Sequence, residues 1–468
     1  MSRIENRARS AVAAGTFIAL ASLTAFACKD YTKELLEPEN PGIVDNSAAG
    51  SPAAAAALRV GAIGRVKLLA NCSSYECLWS QAGIMTDEFK NTDFQNTRQD
   101  VDQRTLTTDN GSIPYTSVTQ ARGFVITAID AMKKYNPTAM ADIAELYMLL
   151  GFVEMSLAED FCNGIPLGSA LNGQIVLGKP LTNAEVYAAA LAHLDSALAI
   201  TTGSSDAGVI FIRNAASIIK GRILVNLGQY SAAATAVGGV SSAFQYLWTS
   251  DPANNSDDNG IFGNIMLSHR MSAADSFDLV GGAKNVIKNA LPFFSANDPR
   301  VPIKSGNDVN PKVQAEDGST PHFVQLIWTR DDPLPVASGI DARLFEAEAQ
   351  LQANNFAGML ATLNALRATP PKISNYQPTA MAALATVPAT KDQAATLFFR
   401  EKGFWTYGRG QRLGDLRRMI RQYGRTEDNV FPKGVYFKGG LYGSDVNFPV
   451  PDAEKVNPLF TGCLDRKA

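Results

Sequence analysis

The residue types that carry out most protein chemistry are few in this sequence and lack the spacing that chemistry needs. Only three histidines occur, His193, His269 and His322, and no two of them stand at the separation of a zinc-binding pair. No Gly-x-Ser-x-Gly motif provides a hydrolase nucleophile. The two acids of a glycosidase come from distant segments, so spacing alone identifies no such pair. We therefore predict a non-enzymatic protein with no metal and no cofactor.

Three other stretches resemble ligand loops but lack a residue that each loop requires. Residues 173–180 nearly form a P-loop, but Pro180 stands where a hydroxyl must bind magnesium. Residues 408–414 are one residue too long for a dinucleotide fingerprint. Residues 255–266 begin like a calcium loop, but Met266 replaces the bidentate Glu. We interpret the first as a turn and reject the second. For the third we favour a solvated loop, with oxygen-ligated calcium as the alternative.

The N-terminal residues are typical of an export signal. Three arginines among the first nine residues precede an uncharged run, residues 10–27, which ends in Ala-Phe-Ala before Cys28. We predict a bacterial lipoprotein signal over residues 1–27, with lipid attached to Cys28. A membrane-spanning anchor is the alternative, since 18 uncharged residues lie near the lower limit for crossing a bilayer.

Export would place the other cysteines in an oxidising compartment. These four are the disulfide candidates Cys72, Cys77, Cys162 and Cys463. They permit two disulfides in three connectivities, and the sequence does not choose among them. A zinc site is disfavoured because the cysteines lack the paired close spacing of structural sites.

The composition is that of an ordinary globular protein of 468 residues. With 46% apolar and 19% charged residues, the chain is neither disordered, nor collagen-like, nor a polytopic membrane protein. Removing residues 1–27 takes away three arginines and Glu5, which changes the net charge from -3 to -5. Because a mildly acidic chain offers no footprint for a phosphate backbone, we expect no nucleic-acid partner.

The elements that must position any site are mostly helical. Residues 28–52 are polar and contain prolines, which predicts a tether. Apolar residues within 143–157 recur at helical spacing and predict one buried helix face. Thr182 and Glu185 form a capping-box pattern that opens an Ala-rich helix through Leu198. Residues 240–339 are rich in Gly, Asn, Asp, Ser and Pro and predict an irregular insert.

Two stretches share the pattern of a tetratricopeptide helix hairpin, in which small residues let two helices approach and an aromatic follows the turn. The matching positions are Gly221, Leu224, Gly228, Tyr230 and Ala233 in one, and Ala347, Gln350, Asn354, Phe356 and Met359 in the other. The copies lie far apart in the sequence. A generic helical bundle is the alternative.

Three ordered motifs near the C-terminus resemble the SusD/RagB family of lipoproteins. Residues 343–367 contain R-L-F-E-A-E and then L-N-A-L-R, residues 399–418 contain R-E-K followed by G-Q-R-L-G-D-L-R-R, and residues 448–458 contain F-P-V-P followed by N-P. Thr86-Asp87-Glu88 also recurs in this family. We interpret the charged residues of 399–418 as a salt-bridged network with an architectural role.

The resemblance implies a mainly α, SusD-like fold over residues 53–468. Residues 53–239 would be its tetratricopeptide-bearing part, 240–339 the insert, and 340–468 the motifs and a wrapped tail. It further implies a surface-exposed, outer-membrane lipoprotein that binds a nutrient, usually an oligosaccharide and sometimes a peptide. Such a protein hands its ligand to a SusC-like TonB-dependent transporter. A surface hydrolase and a tetratricopeptide interaction module are the competing hypotheses.

Sugars stack their CH faces on exposed aromatics, while their hydroxyls need polar partners. The loop after Glu88 and the irregular region after Val240 are therefore the segments that we expect to bind ligand. The candidates are Phe94, Asn96, Arg98, Tyr246, Trp248, Asn254, Asn255 and His269. For Trp79, Trp328 and Trp405 we expect packing in the core.

Overall fold

The computed structural model describes residues 50–71, 77–171, 174–251, 257–280 and 282–468. The predicted signal and nearly all of the tether, with Cys28, lie outside these residues, as do Cys72, Asn254 and Asn255. Within the described ranges, no helix is both long and apolar enough to cross a bilayer.

Helices dominate, as the sequence predicts. They are α1 (Pro52–Lys67), α2 (Leu78–Met85), α3 (Asn96–Gln103), α4 (Ser112–Tyr135), α5 (Met140–Asp160), α6 (Asn183–Thr201), α7 (Ala207–Asn226), α8 (Tyr230–Val237), α9 (Gly260–Phe262), α10 (Gly339–Gln352), α11 (Phe356–Ala368), α12 (Lys391–Trp405) and α13 (Arg412–Tyr423). A π-helical turn, Gly263–Leu267, continues α9.

The strands are short and pair two by two, always antiparallel. They are β1 (Phe89–Asn91), β2 (Ile165–Pro166), β3 (Ser169–Leu171), β4 (Gln174–Val176), β5 (Pro180–Leu181), β6 (Gln245–Trp248), β7 (Met271–Ala273), β8 (Phe277–Val280), β9 (Ala283–Val286), β10 (Ile303–Ser305), β11 (Phe323–Gln325) and β12 (Leu334–Ser338). The pairs are β1 with β7, β2 with β5, β3 with β4, β6 with β12, β8 with β9, and β10 with β11. Seven of these twelve strands, β6 to β12, fall in the predicted insert, where they hold long loops in place.

Local signals set the helix boundaries. At the start of α6, the Thr182 side chain accepts from the Glu185 amide at 3.2 Å, and Glu185 Oε2 accepts from the Thr182 amide at 2.7 Å. This confirms the predicted capping box, although the helix continues to Thr201. Helix α5 is buried on nearly every side because α4, α6 and α7 all pack against it. The prediction of a single buried stripe was too narrow.

Both predicted helix hairpins are present, as α7–α8 and α10–α11. The chain reverses through left-handed residues, Gly228 with φ +74° and Asn354 with φ +58°. Although the hairpins are distant in sequence, they are neighbours in space. A Cβ atom placed on Gly221 would lie 2.9 Å from the ring of Phe345, so the small residue permits α7 and α10 to pack closely.

The tail beyond residue 429 packs against the helices and fills part of the core. Phe448 is fully buried and forms a parallel bridge with Phe161, at the end of α5. A disulfide joins Cys162 to Cys463 across 301 residues, which selects among the possible connectivities. Cys77 is also disulfide-bonded.

The charged C-terminal motif forms a buried network, as predicted. Arg418 contacts Glu348 at 2.6 Å and Asp415 at 2.8 Å, while Lys402 contacts Asp415 at 2.6 Å. Arg400 differs from the others, since it is exposed and its guanidinium lies over the Phe404 ring at 5.1 Å. The motif therefore ties α10, α12 and α13 together.

Candidate ligand-binding surface

Loops from four parts of the chain meet around the segment that follows β1. Thr92 Oγ1 donates to the carbonyl oxygen of His269 at 2.7 Å, and its own carbonyl accepts from the Asp317 amide at 3.0 Å. Lys438 Nζ, from the tail, donates to the carbonyl oxygen of Asp93 at 2.6 Å. We call the exposed face formed here the Phe94 surface. Its residues are Phe94, Asn96, His269, Arg270 and Lys438.

Phe94 is the exposed aromatic of this surface, with 65% of its area accessible. Hydrogen bonds hold the backbone of the residues on either side of Phe94. The Asp93 amide donates to Asn91 Oδ1 and the Gln95 amide donates to Asp93 Oδ1, both at 3.0 Å. Asn96, the first residue of α3, is exposed beside it. The ring thus stands in water on a backbone that is held on both sides, which suits it to stacking on an apolar face of a ligand.

Arg98 lies beneath the surface and is only 6% exposed. It forms an ion pair with Asp93, and Arg270 Nε lies 3.3 Å from the same carboxylate oxygen. Burial, together with the nearby charge of Arg270, lowers the pKa of Arg98 to about 10. Arg98 therefore supports the loop, and the prediction that it contacts ligand directly is wrong. Arg270, whose side chain is 40% exposed, is the more accessible arginine of the two.

His269 lies on the same surface and is partly exposed. Its backbone adopts a left-handed conformation, with φ +57°, and its Nε2 lies 3.1 Å from the carbonyl oxygen of Met266. The ring packs edge-on against His322, with centroids 6.3 Å apart. Burial lowers the pKa of His322 to about 4, so this second histidine is neutral at physiological pH.

The prediction that Tyr246 and Trp248 face a ligand is wrong, because both are buried. Trp248 stacks on Trp79 with centroids 5.5 Å apart and meets Phe152 edge-on at 5.4 Å. The Tyr246 hydroxyl donates to Glu145 Oε1 at 2.7 Å. Strand β6 lies over the helices, and its aromatic rings fill the core. Trp79, Trp328 and Trp405 are buried, as expected.

Two residues of the possible calcium loop have other partners. Asp257 forms an ion pair with Lys67 at 2.9 Å. The Asn259 side chain caps α9 by accepting from the amides of Ile261 and Phe262, each at 3.1 Å. Across the part of the chain that the structure describes, no three His, Cys, Asp or Glu side chains are grouped to hold a metal.

Buried acids underlie the Phe94 surface. Asp102, on α3, accepts from the Asn91 amide at 2.7 Å and from the Tyr436 hydroxyl at 3.2 Å. Glu88 accepts from the Gly408 amide at 3.1 Å. Burial raises the pKa of both Asp102 and Glu88 to about 7. The Asp87-Glu88 pair stood out in the sequence only as a motif, and nothing marked Asp102.

The architecture matches solved structures across nearly the whole chain. A SusD superfamily protein from Bacteroides fragilis superposes with a TM-score of 0.61 at 14% identity, covering 88% of this chain and 99% of its own. A SusD-like carbohydrate-binding protein from Bacteroides vulgatus gives 0.58 at 14% identity, covering 88% and 98%. A laminarin-binding SusD-like protein gives 0.56 at 15% identity, covering 88% and 98%.

No protein-family model matches the sequence, and no curated protein matches it. The likeness to solved structures is therefore the evidence for the fold of this chain. At these low sequence identities, it establishes the fold alone. The chain has the SusD-like helical fold, as the C-terminal motifs predict.

Proposed function

We propose that this chain is a non-catalytic, lipid-anchored glycan-binding protein of the SusD/RagB family, exposed at the outer membrane. The signal of residues 1–27 would direct export, Cys28 would carry the lipid, and a SusC-like TonB-dependent transporter would receive the ligand. The observation that carries the proposal is Phe94, an exposed aromatic on a fixed loop. It lies in a fold whose solved examples include carbohydrate-binding and laminarin-binding proteins.

The chemistry of the Phe94 surface suits a sugar chain. The Phe94 ring offers a face for sugar CH groups, while the Asn96 amide and the Arg270 guanidinium can bond to hydroxyls. An aromatic contact contributes about 0.5–1.5 kcal/mol beyond the area it buries. Since about 1.4 kcal/mol corresponds to a tenfold change in affinity, losing the ring should weaken binding about tenfold.

Calorimetric titration of the soluble chain from Lys29 against a panel of oligosaccharides, laminarin included, tests the proposal. Phe94→Ala should weaken binding of the retained glycan about tenfold. Phe211→Ala is the matched control, because Phe211 is 41% exposed but contacts Phe244 and Tyr246, neither of which belongs to the Phe94 surface. An equal loss of glycan affinity in both variants, or no loss in either, would count against the Phe94 surface as the binding site. If the protein bound peptides and no glycans, the ligand class would be peptides and the glycan proposal would be wrong.

Anchoring and delivery need separate measurements. Wild-type protein should fractionate with outer membranes, whereas Cys28→Ala should be released into the soluble fraction. Purification from membranes should bring down a TonB-dependent barrel. Products released from labelled oligosaccharides by the purified protein would favour the hydrolase hypothesis instead.

A further inference from the structure

Three buried carboxylates from three elements face one another below the Phe94 surface. Asp87 precedes β1, Asp102 lies on α3, and Asp278 lies on β8, with exposures of 1%, 0% and 5%. We call them the acid cluster. Asp278 has an ammonium partner, Lys90, at 2.8 Å. The Oδ2 atom of Asp87 and the Oδ1 atom of Asp102 accept no hydrogen bond from any residue that the structure describes.

Other charged and titratable groups face the cluster from every element packed around it. They are Glu88 before β1 and Lys90 on β1, Arg104 after α3, Arg412 and Asp415 on α13, and Tyr436, Lys438 and Tyr442 in the tail.

Apart from Lys90, the cations in this set are shared with acids outside the cluster. Arg104 pairs with Glu427, and Lys438 pairs with Asp317 at 2.8 Å. Arg412 interacts with Glu88 and Asp415 as well as with the cluster.

The cluster therefore carries more acids than its close cations can neutralise. Bringing two or three carboxylate charges together in a buried site is unfavourable, so such a site retains protons instead. Consistent with this, burial and the neighbouring acids hold the pKa of Asp87 well above its ordinary value. The Tyr436 and Tyr442 hydroxyls donate to the cluster, at 3.2 Å to Asp102 and 3.4 Å to Asp87.

A short chain of contacts links the cluster to the Phe94 surface. Asp102 holds the Asn91 amide, and the Asn91 side chain in turn holds the Asp93 amide next to Phe94. On the tail side, Tyr436 donates to Asp102, and Lys438, two residues further on, holds the carbonyl of Asp93. Both ends of the loop below Phe94 thus depend on the same carboxylate.

We propose that the acid cluster is a proton-dependent clamp on the Phe94 surface. Asp87 and Asp102 bind the protons, and Asp278, paired with Lys90, packs beside them. The loop is held while the cluster retains protons, and it loosens at higher pH, when mutual repulsion of the ionised carboxylates pushes α3, β1 and the tail apart. As a device that regulates ligand binding, it rests on the function proposed above. The clamp itself is a property of the ligand-free protein.

Hydrogen exchange of the full-length chain in detergent, without ligand, tests the clamp at pH 5.5 and pH 8.5. Protection is taken relative to the intrinsic exchange rate at each pH. Amides of residues 91–98 and 436–442 should lose protection about tenfold at the higher pH, the factor that corresponds to one pKa unit. Amides of α6, which lies away from the cluster, should keep theirs. Equal protection of the loop at both pH values would overturn the proposal.

Two variants decide whether the cluster is the cause. Asp102→Asn and Asp87→Asn should each reduce the loss to less than about threefold. Asp87 has φ +53°, a conformation that Asn adopts readily. Asp87→Asn therefore still tests the proposal if Asp102→Asn does not fold. Asp195→Asn, at a side chain 59% exposed, should behave as wild type. An undiminished loss in Asp87→Asn would overturn the proposal. Since no glycan is present, this result is independent of the titration that tests ligand binding.

Discussion

Arg417 donates from Nη1 to the carbonyl oxygen of Phe161 at 3.0 Å, at the end of the central helix α5. The same nitrogen reaches the carbonyl of Ala158 at 3.3 Å. The last carbonyls of a helix lack partners within it and favour a cation. Because Arg417 is fully buried, this arginine of the family-like motif closes a helix and does not face a ligand.

Replacing Arg417 should therefore destabilise the fold. We expect Arg417→Met to lower the free energy of unfolding by about 2–3 kcal/mol, because buried carbonyls lose a charged donor. Arg417→Lys should recover only part of this loss, since its ammonium can donate to the same carbonyls but its side chain is one bond shorter than the path to Nη1 of arginine. Urea unfolding measures both. Arg425→Ala is the control, because Arg425 pairs with Asp392, whose side chain is 77% exposed, and should cost less than about 1 kcal/mol.

The close packing of the two helix hairpins makes a second prediction. Gly221→Ala places a Cβ 2.9 Å from Phe345 and 3.0 Å from Val237, and we expect a destabilisation of about 1–3 kcal/mol. Gly123→Ala, on α4, meets nothing within 4 Å and should stabilise the protein by up to about 1 kcal/mol. Changes of opposite sign in the melting temperatures of the two variants would support the close packing of α7 against α10. A stabilising Gly221→Ala would contradict it.

The disulfide between Cys162 and Cys463 should contribute strongly to stability because it closes a loop across 301 residues. We expect Cys463→Ser to lower the free energy of unfolding by about 2–5 kcal/mol. Limited proteolysis should then cut within residues 448–468 first. A reducing agent also attacks the disulfide of Cys77, so the substitution isolates the effect better than reduction does. Unchanged proteolysis of the variant would show that the tail is held by its packing alone.

Stability should fall as the pH rises from about 4 to about 7. Glu88 and Asp102 have a pKa of about 7 when folded, against about 4 when unfolded, so across this window only the folded state binds their protons. Each such group lowers the free energy of unfolding by up to about 1.4 kcal/mol per pH unit.

Acids with a lowered pKa act in the opposite direction and at lower pH. Close cations and hydrogen bonds outweigh burial and lower the pKa of Asp415, and that of Asp317 to about 2. Their contribution is present above about pH 4 and is lost as the pH falls further.

Urea unfolding at pH 5.0, 6.0 and 7.5 tests the role of Glu88. The free energy of unfolding of Glu88→Gln should fall less steeply with rising pH than that of wild type. If the free energy of unfolding fell equally steeply with pH in both proteins, the assignment of this effect to Glu88 would be refuted.

The sequence predicted best what depends on neighbouring residues. The capping box at Thr182 and the turns at Gly228 and Asn354 were correct because their causes are local. Burial of Trp248 could not be predicted, since a short strand in an irregular region gives no periodicity to show which face is covered. Arg270 was missed because one charged loop residue has no pattern. The partner of Cys162 depends on the path of a tail 301 residues away.

Synthesis from the N-terminus gives that tail a further role. The end of α5 is completed by Arg417, by Phe448 and by the link to Cys463, all supplied by the last part of the chain. A chain that emerges N-terminus first cannot finish this centre while those residues are still being delivered. The early helices must therefore wait partly assembled, and they need protection from aggregation until the tail has been synthesised.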